Sequence, residues 1–249
     1  MSDIVVARQL AFQNAPPDVS CHSATRLTTR SNEVLMAIDD RSDVSGLLEA
    51  QYEPGSHGQV LKNLLGITSK RDMDEAEARA LERAMDTQVR THGATHRFTA
   101  ADLCECHRIW LGEIYEWAGH YRQVNVVKDD FPFAAAAQVP ALMDQFERDV
   151  LQRWTPCTFP DRAGEVRALA ETHVELVLIH PFRDGNGRLA RVLSTLMALQ
   201  AGLPLLDFSV LAGEGKAAYV SAIQAGLGQR YVPMERLFGI IIERSLASS

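Results

Sequence analysis

Residues 180–188 read His-Pro-Phe-Arg-Asp-Gly-Asn-Gly-Arg, and Arg191 follows after two further residues. Apolar residues recur at helical spacing on both sides of this stretch, before it at Val166, Leu169, Ala170, Val174, Val177 and Leu178 and after it at Leu189, Val192, Leu193 and Leu196. The stretch is therefore predicted to be a loop between two buried helices. Pro181 cannot continue the first helix, because it lacks an N–H and its ring clashes with the preceding turn. His180 should then lie at the helix end with its imidazole exposed.

The same loop has the composition of a phosphate-binding turn. Glycines such as Gly185 and Gly187 allow backbone N–H groups to approach an anion closely. A helix that begins at Gly187 would also point its positive end at the loop. We therefore expect an anion-binding site here, with His180 at its rim.

The loop resembles a known active-site signature. The ordered set that matches the signature of the Fic family is His180, Phe182, Asp184, Gly185, Asn186, Gly187, Arg188 and Arg191. Weaker similarities surround it at residues 63–67, 114–119 with Tyr121 and Arg122, and 124–133, so that the resemblance spans about Tyr52 to Met234. It implies an all-α fold, a Fic-type helical bundle with a small β-hairpin flap over the active site.

The resemblance implies a protein adenylyltransferase, which transfers AMP from ATP to a Tyr, Thr or Ser hydroxyl of a target protein and can modify itself. The matching histidine of that family is the general base. The chemistry of His180 agrees, because a hydroxyl is a poor nucleophile near neutral pH and an imidazole with an unperturbed pKa near ~6.5 can take its proton.

The remaining residues of the loop are predicted to hold the nucleotide. Asp184 would bind Mg²⁺, which prefers carboxylate and phosphate oxygens, although an aspartate here could equally cap the following helix. Asn186 and the backbone around Gly185 and Gly187 would cradle the α- and β-phosphates, with Phe182 anchoring the loop. Arg188 and Arg191 share a helix face and could clamp one polyphosphate, or could simply be solvated charges.

Gly187 bears on the type of reaction. A lysine at this position resembles the phosphotransferase branch of the family, whereas glycine resembles the AMP-transferring branch. Phosphotransfer, transfer from another nucleotide and a non-catalytic binding module with the same fold remain alternatives.

The segment from Val124 to Phe133 is rich in β-branched and aromatic residues and has a turn candidate at Asp129-Asp130, so a short hairpin is predicted. An extended segment of a target protein could add to its free edge as a further strand. Lys128 and Phe133 are the expected contacts with target or nucleotide. A plain surface hairpin is the alternative.

Composition limits the possible classes of protein. The 249 residues are 46% hydrophobic and can bury one substantial core, and no segment is long enough to suggest a membrane span. A formal net charge of −7 argues against general affinity for nucleic acid. The four cysteines lack a disulfide framework. We expect a cytoplasmic protein, in the producing cell or in a host cell that receives it as an effector.

The chain divides into a polar N-terminal extension, residues 1–50, that is poorly ordered or regulatory and a Fic-type catalytic domain, residues 51–249. Helical patterns dominate the second part. The predicted helices span residues 74–89, 99–117, 139–154, 162–179, 188–200, 216–227 and 234–246.

The sequence contains only a partial signal for how the activity is controlled. Many members of the family carry an inhibitory helix with the pattern [ST]-x-x-x-E-[GN], whose glutamate pairs with the second arginine of the signature. Only partial matches occur, at Thr29 to Val34 and at Ser45 to Ala50, the latter with Glu49. Our hypothesis is that a separate antitoxin-like protein inhibits the enzyme, or that no inhibition exists.

Overall fold

Helices dominate the computed structural model, which describes residues 46–129 and 131–249. In chain order the helices of these residues are α1 (Lys70–Thr91), α2 (Ala100–Leu111), α3 (Val139–Phe146), a π-helical turn (Glu147–Leu151), α4 (Gln152–Trp154), α5 (Arg162–Ile179), α6 (Asn186–Gln200), α7 (Gly215–Ala225) and α8 (Val232–Ala247). Short 3₁₀ turns lie at Leu48–Ala50, Ala136–Gln138, Phe208–Leu211 and Gly226–Gly228. The predicted all-α class is confirmed.

Side-chain caps explain where several helices begin. Ser69 accepts a hydrogen bond from the backbone N–H of Asp72, so α1 starts earlier than the apolar pattern predicts. Thr99 and Asp102 form a capping box at the start of α2. Asp161 accepts from the N–H of Gly164 at 2.7 Å and starts α5 where it is predicted.

The helix predicted for residues 99–117 is too long. Helix α2 ends at Leu111, and the chain then turns through Gly119, which has a φ of 83°. Apolar residues of this turn, among them Ile114 and Trp117, are buried and so extend the hydrophobic pattern beyond the helix. The helix predicted for residues 139–154 is interrupted by the π-helical turn.

Helix α5 lies at the centre of the bundle. It packs against α6 and α8, and nearly all of its length from Ala168 to Ile179 is buried. A helix that is buried on all sides has little freedom to move relative to its neighbours. The loop from His180 to Gly185 is therefore held between two firmly packed helices.

The predicted flap is a short antiparallel hairpin. Strand β1 (Val127–Lys128) pairs with β2 (Phe131–Pro132), with Val127 opposite Pro132 and Lys128 opposite Phe131. The N–H of Phe133 adds a bond to the carbonyl of Val126 at 3.1 Å. Asp130, half of the predicted turn, lies outside the described residues.

Most of the predicted extension, including the partial match at Thr29 to Val34, also lies outside them. Residues 46–50 are described, and Glu49 of their 3₁₀ turn contacts Gln123, just before the flap, and Arg183 of the signature loop. The division of the chain at residue 50 stays a prediction. Within the described helices, none has the length and apolar character needed to cross a membrane.

Candidate active site

His180 occupies the junction between α5 and the signature loop. It is the C-terminal cap of α5 and has a left-handed backbone, φ 53° and ψ 59°, which turns the chain sharply away from the helix axis. Its ring nitrogen Nδ1 lies 3.1 Å from the carbonyl oxygen of Val177. A carbonyl only accepts, so Nδ1 carries the proton and Nε2 presents a lone pair. The side chain is thus oriented as a base.

The imidazole of His180 is half-buried rather than exposed as predicted. Phe133, which follows β2, stacks on it with ring centroids 3.6 Å apart and an angle of 17° between the planes. Burial lowers the pKa of His180 to about 3, and the nearby Arg122 guanidinium acts in the same direction. The ring is therefore neutral at physiological pH and able to accept a proton without first losing one.

Arg122 joins the flap to the signature loop. Its guanidinium is buried and donates to the carbonyls of His180 at 2.7 Å and Val124 at 2.8 Å, and also to Ala134. Its own backbone N–H donates to Pro181 at 2.9 Å. These bonds satisfy carbonyls left free where α5 ends and hold the flap beside His180. The sequence similarity included Arg122 without predicting this role.

Beneath the loop, Phe182 and Asn186 hold its shape. Phe182 is fully buried and stacks on His107 of α2 at 4.0 Å and 10°. The side-chain amide of Asn186 accepts from the N–H of Phe182 at 2.9 Å and donates to its carbonyl at 2.8 Å. Phe182 thus packs beneath the loop, and its assignment to the nucleotide site stays a prediction. Much of the hydrogen-bonding capacity of Asn186 is used within the loop, and its contact with phosphate stays a prediction.

His107 is a supporting residue that sequence reasoning missed. The N–H of Gly119 donates to its Nδ1 at 2.9 Å, so its Nε2 carries the proton and donates to the carbonyl of Asp184 at 3.1 Å. Burial lowers its pKa to about 4. Its position on the buried face of α2, one residue after Cys106 and three before Trp110, was the available signal.

Gly185 sets the entry to α6. Its φ is 83°, and a Cβ added there would lie 2.8 Å from Cζ3 of Trp110. No side chain caps α6, whose first residue is Asn186. The first N–H groups of a helix have no partner within the helix and are suited to an anion, so the anion site predicted from the glycines stays a prediction.

Asp184 lies at the rim of this helix end. One carboxylate oxygen accepts from the N–H of Gly185 at 2.6 Å, and the other is 3.7 Å from Nη2 of Arg188. Its side chain is 52% exposed. A capping role within α6 is not observed, since the bond is made to Gly185, the residue before the helix.

The two signature arginines differ in their surroundings. Arg188 pairs with the buried carboxylate of Glu77 on α1 and lies over the ring of Trp110, 4.7 Å from its centroid. Tyr115 also donates to Glu77, at 2.7 Å. Glu77 was not predicted as part of the site, although its spacing from Met73, Ala80 and Ala84 places it on the buried face of α1.

Arg191 has no such partner among the described residues. Its Nε is buried without a hydrogen bond, and no ion pair of the described part of the chain includes it. Its charge contributes to lowering the pKa of His173 and works against the raised pKa of Tyr219. Glu49 does not reach it: the Glu49 carboxylate accepts from the N–H of Gln123 at 2.6 Å.

His173 belongs to a buried hydrogen-bond chain beside Arg191. Ser194 donates to the carbonyl of Ala190 at 2.8 Å, so the Ser194 oxygen accepts from Nδ1–H of His173 at 3.1 Å and Tyr219 donates to Nε2 at 3.0 Å. In this arrangement Nε2 accepts, so the ring is neutral. Burial, with a contribution from Arg191, lowers the pKa of His173 to about 3.

This chain predicts loss of stability in acid. Below about pH 6.5 His173 becomes protonated in the unfolded state but stays neutral in the native state, so acidification favours unfolding. We expect His173 to remove about 2 kcal/mol of unfolding free energy between about pH 7 and pH 5. Urea unfolding of wild type, His173→Gln and the exposed-residue control His120→Gln measures this. A pH dependence that is equal in all three proteins would contradict it.

The site combines a neutral imidazole, a helix start without a side-chain cap and two arginines within a helical protein. The Fic/DOC family model matches residues 97–198. The Fic protein of Salmonella typhimurium is 30% identical over 154 residues, which are 59% of this chain and 71% of that protein. The chain belongs to the Fic/DOC family.

Two further relatives and one solved structure are similar to parts of the chain. Protein adenylyltransferase VbhT of Bartonella schoenbuchensis is 31% identical over 148 residues, or 57% of this chain. The match spans only 30% of VbhT, and 33% of the Fic adenylyltransferase of Nematostella vectensis. A crystal structure of the N-terminal Fic domain of a VirB-translocated Bep effector protein from Bartonella quintana, with bound ADP, has a TM-score of 0.58 and 28% identity and covers 73% of this chain and 89% of that chain.

Proposed function

We propose that this chain is a protein adenylyltransferase that transfers AMP from ATP to a Tyr, Thr or Ser hydroxyl of a target protein, and to its own side chains. The observation that carries the proposal is the free Nε2 of His180 beside the uncapped start of α6. The names of VbhT and of the Nematostella relative, and the ADP in the Bartonella quintana structure, support the same chemistry.

The proposed step needs one base and one leaving group. The target hydroxyl oxygen attacks the α-phosphorus of ATP while its proton passes to Nε2 of His180. The bond between the α-phosphorus and the bridging oxygen breaks, and pyrophosphate leaves with that electron pair. Val177 keeps the ring in the correct tautomer, and Phe133 holds its plane.

The phosphates would lie against the start of α6. The N–H groups from Asn186 to Arg188 supply donors there, and the helix dipole favours negative charge. Arg191 is the guanidinium available as a clamp, since the described residues offer it no carboxylate, whereas Arg188 is already paired with Glu77. We therefore assign the phosphate clamp to Arg191 and a positioning role to Arg188.

Asp184 fits the predicted Mg²⁺. Its half-exposed carboxylate stands at the edge of the anion site, and Mg²⁺ commonly binds to one or two carboxylates together with phosphate oxygens and water. Bound there, the ion would neutralise charge that develops on the phosphates. The backbone of Asp184 is held by His107, which keeps the carboxylate at the rim.

The flap is the proposed docking site for the target. Lys128 is exposed on β1 and is close enough to His180 to affect its pKa, so an extended segment paired with this hairpin would pass near the base. Phe133 is mainly buried against His180. We propose that Lys128 contacts the target and that Phe133 positions the base.

Inhibition, in this proposal, comes from a separate antitoxin-like protein or is absent, and the enzyme acts in the cytoplasm of its own cell or of a host. Glu49, the candidate inhibitory glutamate, binds the N–H of Gln123, and its carbonyl accepts from Arg183 at 2.7 Å. Neither contact involves Arg191.

The Glu49→Gly variant of the full chain should therefore show no gain in auto-adenylylation. Its glycine removes a bond that supports the segment before the flap, so activity should stay equal or fall. Incorporation of AMP per chain, measured over time against wild type, decides this. A variant more active than wild type would contradict the proposal and restore Glu49 as an inhibitor.

Alanine substitutions at the two loop glycines should separate an effect on stability from an effect on phosphate binding. Gly185→Ala should cost about 2–4 kcal/mol of unfolding free energy, because its positive φ strains any Cβ and Trp110 lies too close. A Cβ on Gly187 meets no atom within 4 Å. Gly187→Ala should leave stability unchanged or raise it by up to about 1 kcal/mol.

The same Gly187→Ala protein should nevertheless transfer AMP poorly, since its methyl group would stand where the phosphates approach the helix end. Urea unfolding and ATP binding to both variants measure the two effects. Full ATP affinity in Gly187→Ala would show that the phosphates lie elsewhere.

Intact-mass spectrometry tests the function directly. The full chain incubated with ATP and Mg²⁺ should gain the mass of one or more AMP groups. A gain equal to a phosphate group would support the phosphotransferase alternative, and an unchanged mass with or without a bacterial lysate would support a binding module.

A further inference from the structure

A second cluster of ligating side chains lies at the far end of helices α1 and α2 from the signature loop. His92 directly follows α1, His96 lies in the connecting loop, and Asp102 lies in the first turn of α2. One ligand atom from each of these residues lies within 4.8 Å of those from the other two. None of the three contributes to the candidate active site.

The proton on His92 is placed by its hydrogen bond. Nδ1 lies 3.2 Å from the carbonyl oxygen of Gln88, so it carries the hydrogen and Nε2 presents a lone pair. That lone pair faces Oδ1 of Asp102 at 3.9 Å. Two acceptors that face each other gain from a cation between them. Metal-binding histidines commonly donate their other ring N–H to a backbone carbonyl in the same way.

The carboxylate of Asp102 is held in place by other bonds. Its Oδ2 accepts from the N–H of Thr99 at 2.8 Å, from the Thr99 hydroxyl at 2.9 Å and from Nε2 of His96 at 2.9 Å. No hydrogen bond to Oδ1 is found among the described residues, which leaves this oxygen turned towards His92. The carboxylate is therefore oriented before any ligand binds.

Two neighbouring residues, Phe98 and Gln200, also help to hold the histidines in place. Phe98 packs against both rings, with centroids 5.1 Å from His92 and 5.0 Å from His96. Gln200 of α6 donates to the carbonyl of His96 at 2.8 Å. The His92 side chain is 7% exposed and that of His96 is 32% exposed, so an ion can enter from the His96 side.

We propose that His92, His96 and Asp102 form a binding site for a divalent transition metal, with Zn²⁺ as the best fit and water as a fourth ligand. Two imidazoles and a carboxylate match the preferences of Zn²⁺, whereas Mg²⁺ and Ca²⁺ favour oxygen ligands. Tetrahedral Zn²⁺ places such ligands roughly 3.4 Å apart. Nε2 of His92 is 3.9 Å from Oδ1 of Asp102 and Nε2 of His96 is 2.9 Å from Oδ2, so both nitrogens lie near that spacing from the carboxylate, each from a different oxygen.

Metal binding would replace the direct bond between His96 and Asp102. His96 would carry its proton on Nδ1 and turn Nε2 towards the ion. The bound ion would then join the end of α1 to the start of α2. Because α1 carries Glu77 and α2 carries His107, the metal would stabilise the helices that support the signature loop.

Calorimetric titration of the full chain, stripped of metal with EDTA and dialysed, tests the site with Zn²⁺ as the probe. We expect wild type and the control His120→Gln to bind Zn²⁺ equally at this site, and the double variant His92→Gln/His96→Gln to lose it. Loss of both imidazoles should weaken binding by more than about 100-fold, since losing an outer-shell partner alone costs up to about that much.

Two further readouts make the result independent of activity. Zn²⁺ should raise the melting temperature of wild type and not of the double variant, and Co²⁺ should give the visible absorption of a tetrahedral site only in wild type and the control. Circular dichroism checks that the variant is folded, and single substitutions replace it if it is not. Absence of Zn²⁺ binding in wild type, or equal affinity in the double variant, would overturn the proposal.

Discussion

His180→Ala should reduce AMP transfer by at least about 100-fold, the usual contribution of a general base. The imidazole is neutral, its Nδ1–H is fixed by Val177, and Phe133 holds its plane, so Nε2 is oriented to take the hydroxyl proton. ATP affinity should stay close to that of wild type, because the ring binds no phosphate in this account. The loss should appear in kcat.

Transfer rates at saturating ATP, together with ATP binding by calorimetry, separate these two quantities. His120→Ala is the matched control, since it removes an exposed imidazole outside the site and should retain full activity. If His180→Ala kept a rate within a few-fold of wild type, His180 could not be the base. If it lost ATP binding instead, its role would be in the nucleotide site.

Arg188→Ala and Arg191→Ala should fail in different ways. Removal of Arg188 leaves the carboxylate of Glu77 buried with Tyr115 as its remaining side-chain donor, which should cost about 3–5 kcal/mol of unfolding free energy. Removal of Arg191, whose Nε has no partner among the described residues, should cost less than about 1 kcal/mol.

The direct effect on catalysis should instead appear in Arg191→Ala, because Arg191 is the arginine proposed to contact phosphate. A lost charge-assisted bond to phosphate is worth about 1.5–3 kcal/mol, so Arg191→Ala should lower kcat/KM for ATP by roughly 10- to 150-fold in a stable protein. Glu77→Gln is the discriminating variant for Arg188. If Arg188 were a phosphate clamp restrained by Glu77, this change would strengthen ATP binding, whereas a positioning role predicts no gain.

The order of helices and the course of the signature loop could be predicted because their signals are local. Asp161 and Pro181 mark the two ends of α5, and its predicted bounds agree with the structure. Around residues 112–119 the apolar pattern continues although the helix has ended, because Ile114 and Trp117 are buried in a turn. Burial alone does not distinguish a helix from a packed turn.

The supporting residues of the site could not be assigned from local signals. Glu77, His107 and Arg122 are distant from the loop in sequence and meet it only through packing of α1, α2 and the flap. The position of Glu77 and His107 on otherwise buried helix faces is a signal that such residues have polar partners, but it does not identify the partners. The half-buried state of His180 likewise depends on Phe133, which reaches it from the flap.

We propose above that the chain transfers the α-phosphate of ATP, as AMP, by means of His180. Its most direct test is incubation of the full chain with Mg²⁺ and ATP labelled at either the α- or the γ-phosphate, with His180→Ala in parallel. We expect covalent protein-bound label from α-labelled ATP, none from γ-labelled ATP, and none in the variant. Bound γ label, an absence of both labels, or α label that persists in His180→Ala would contradict it.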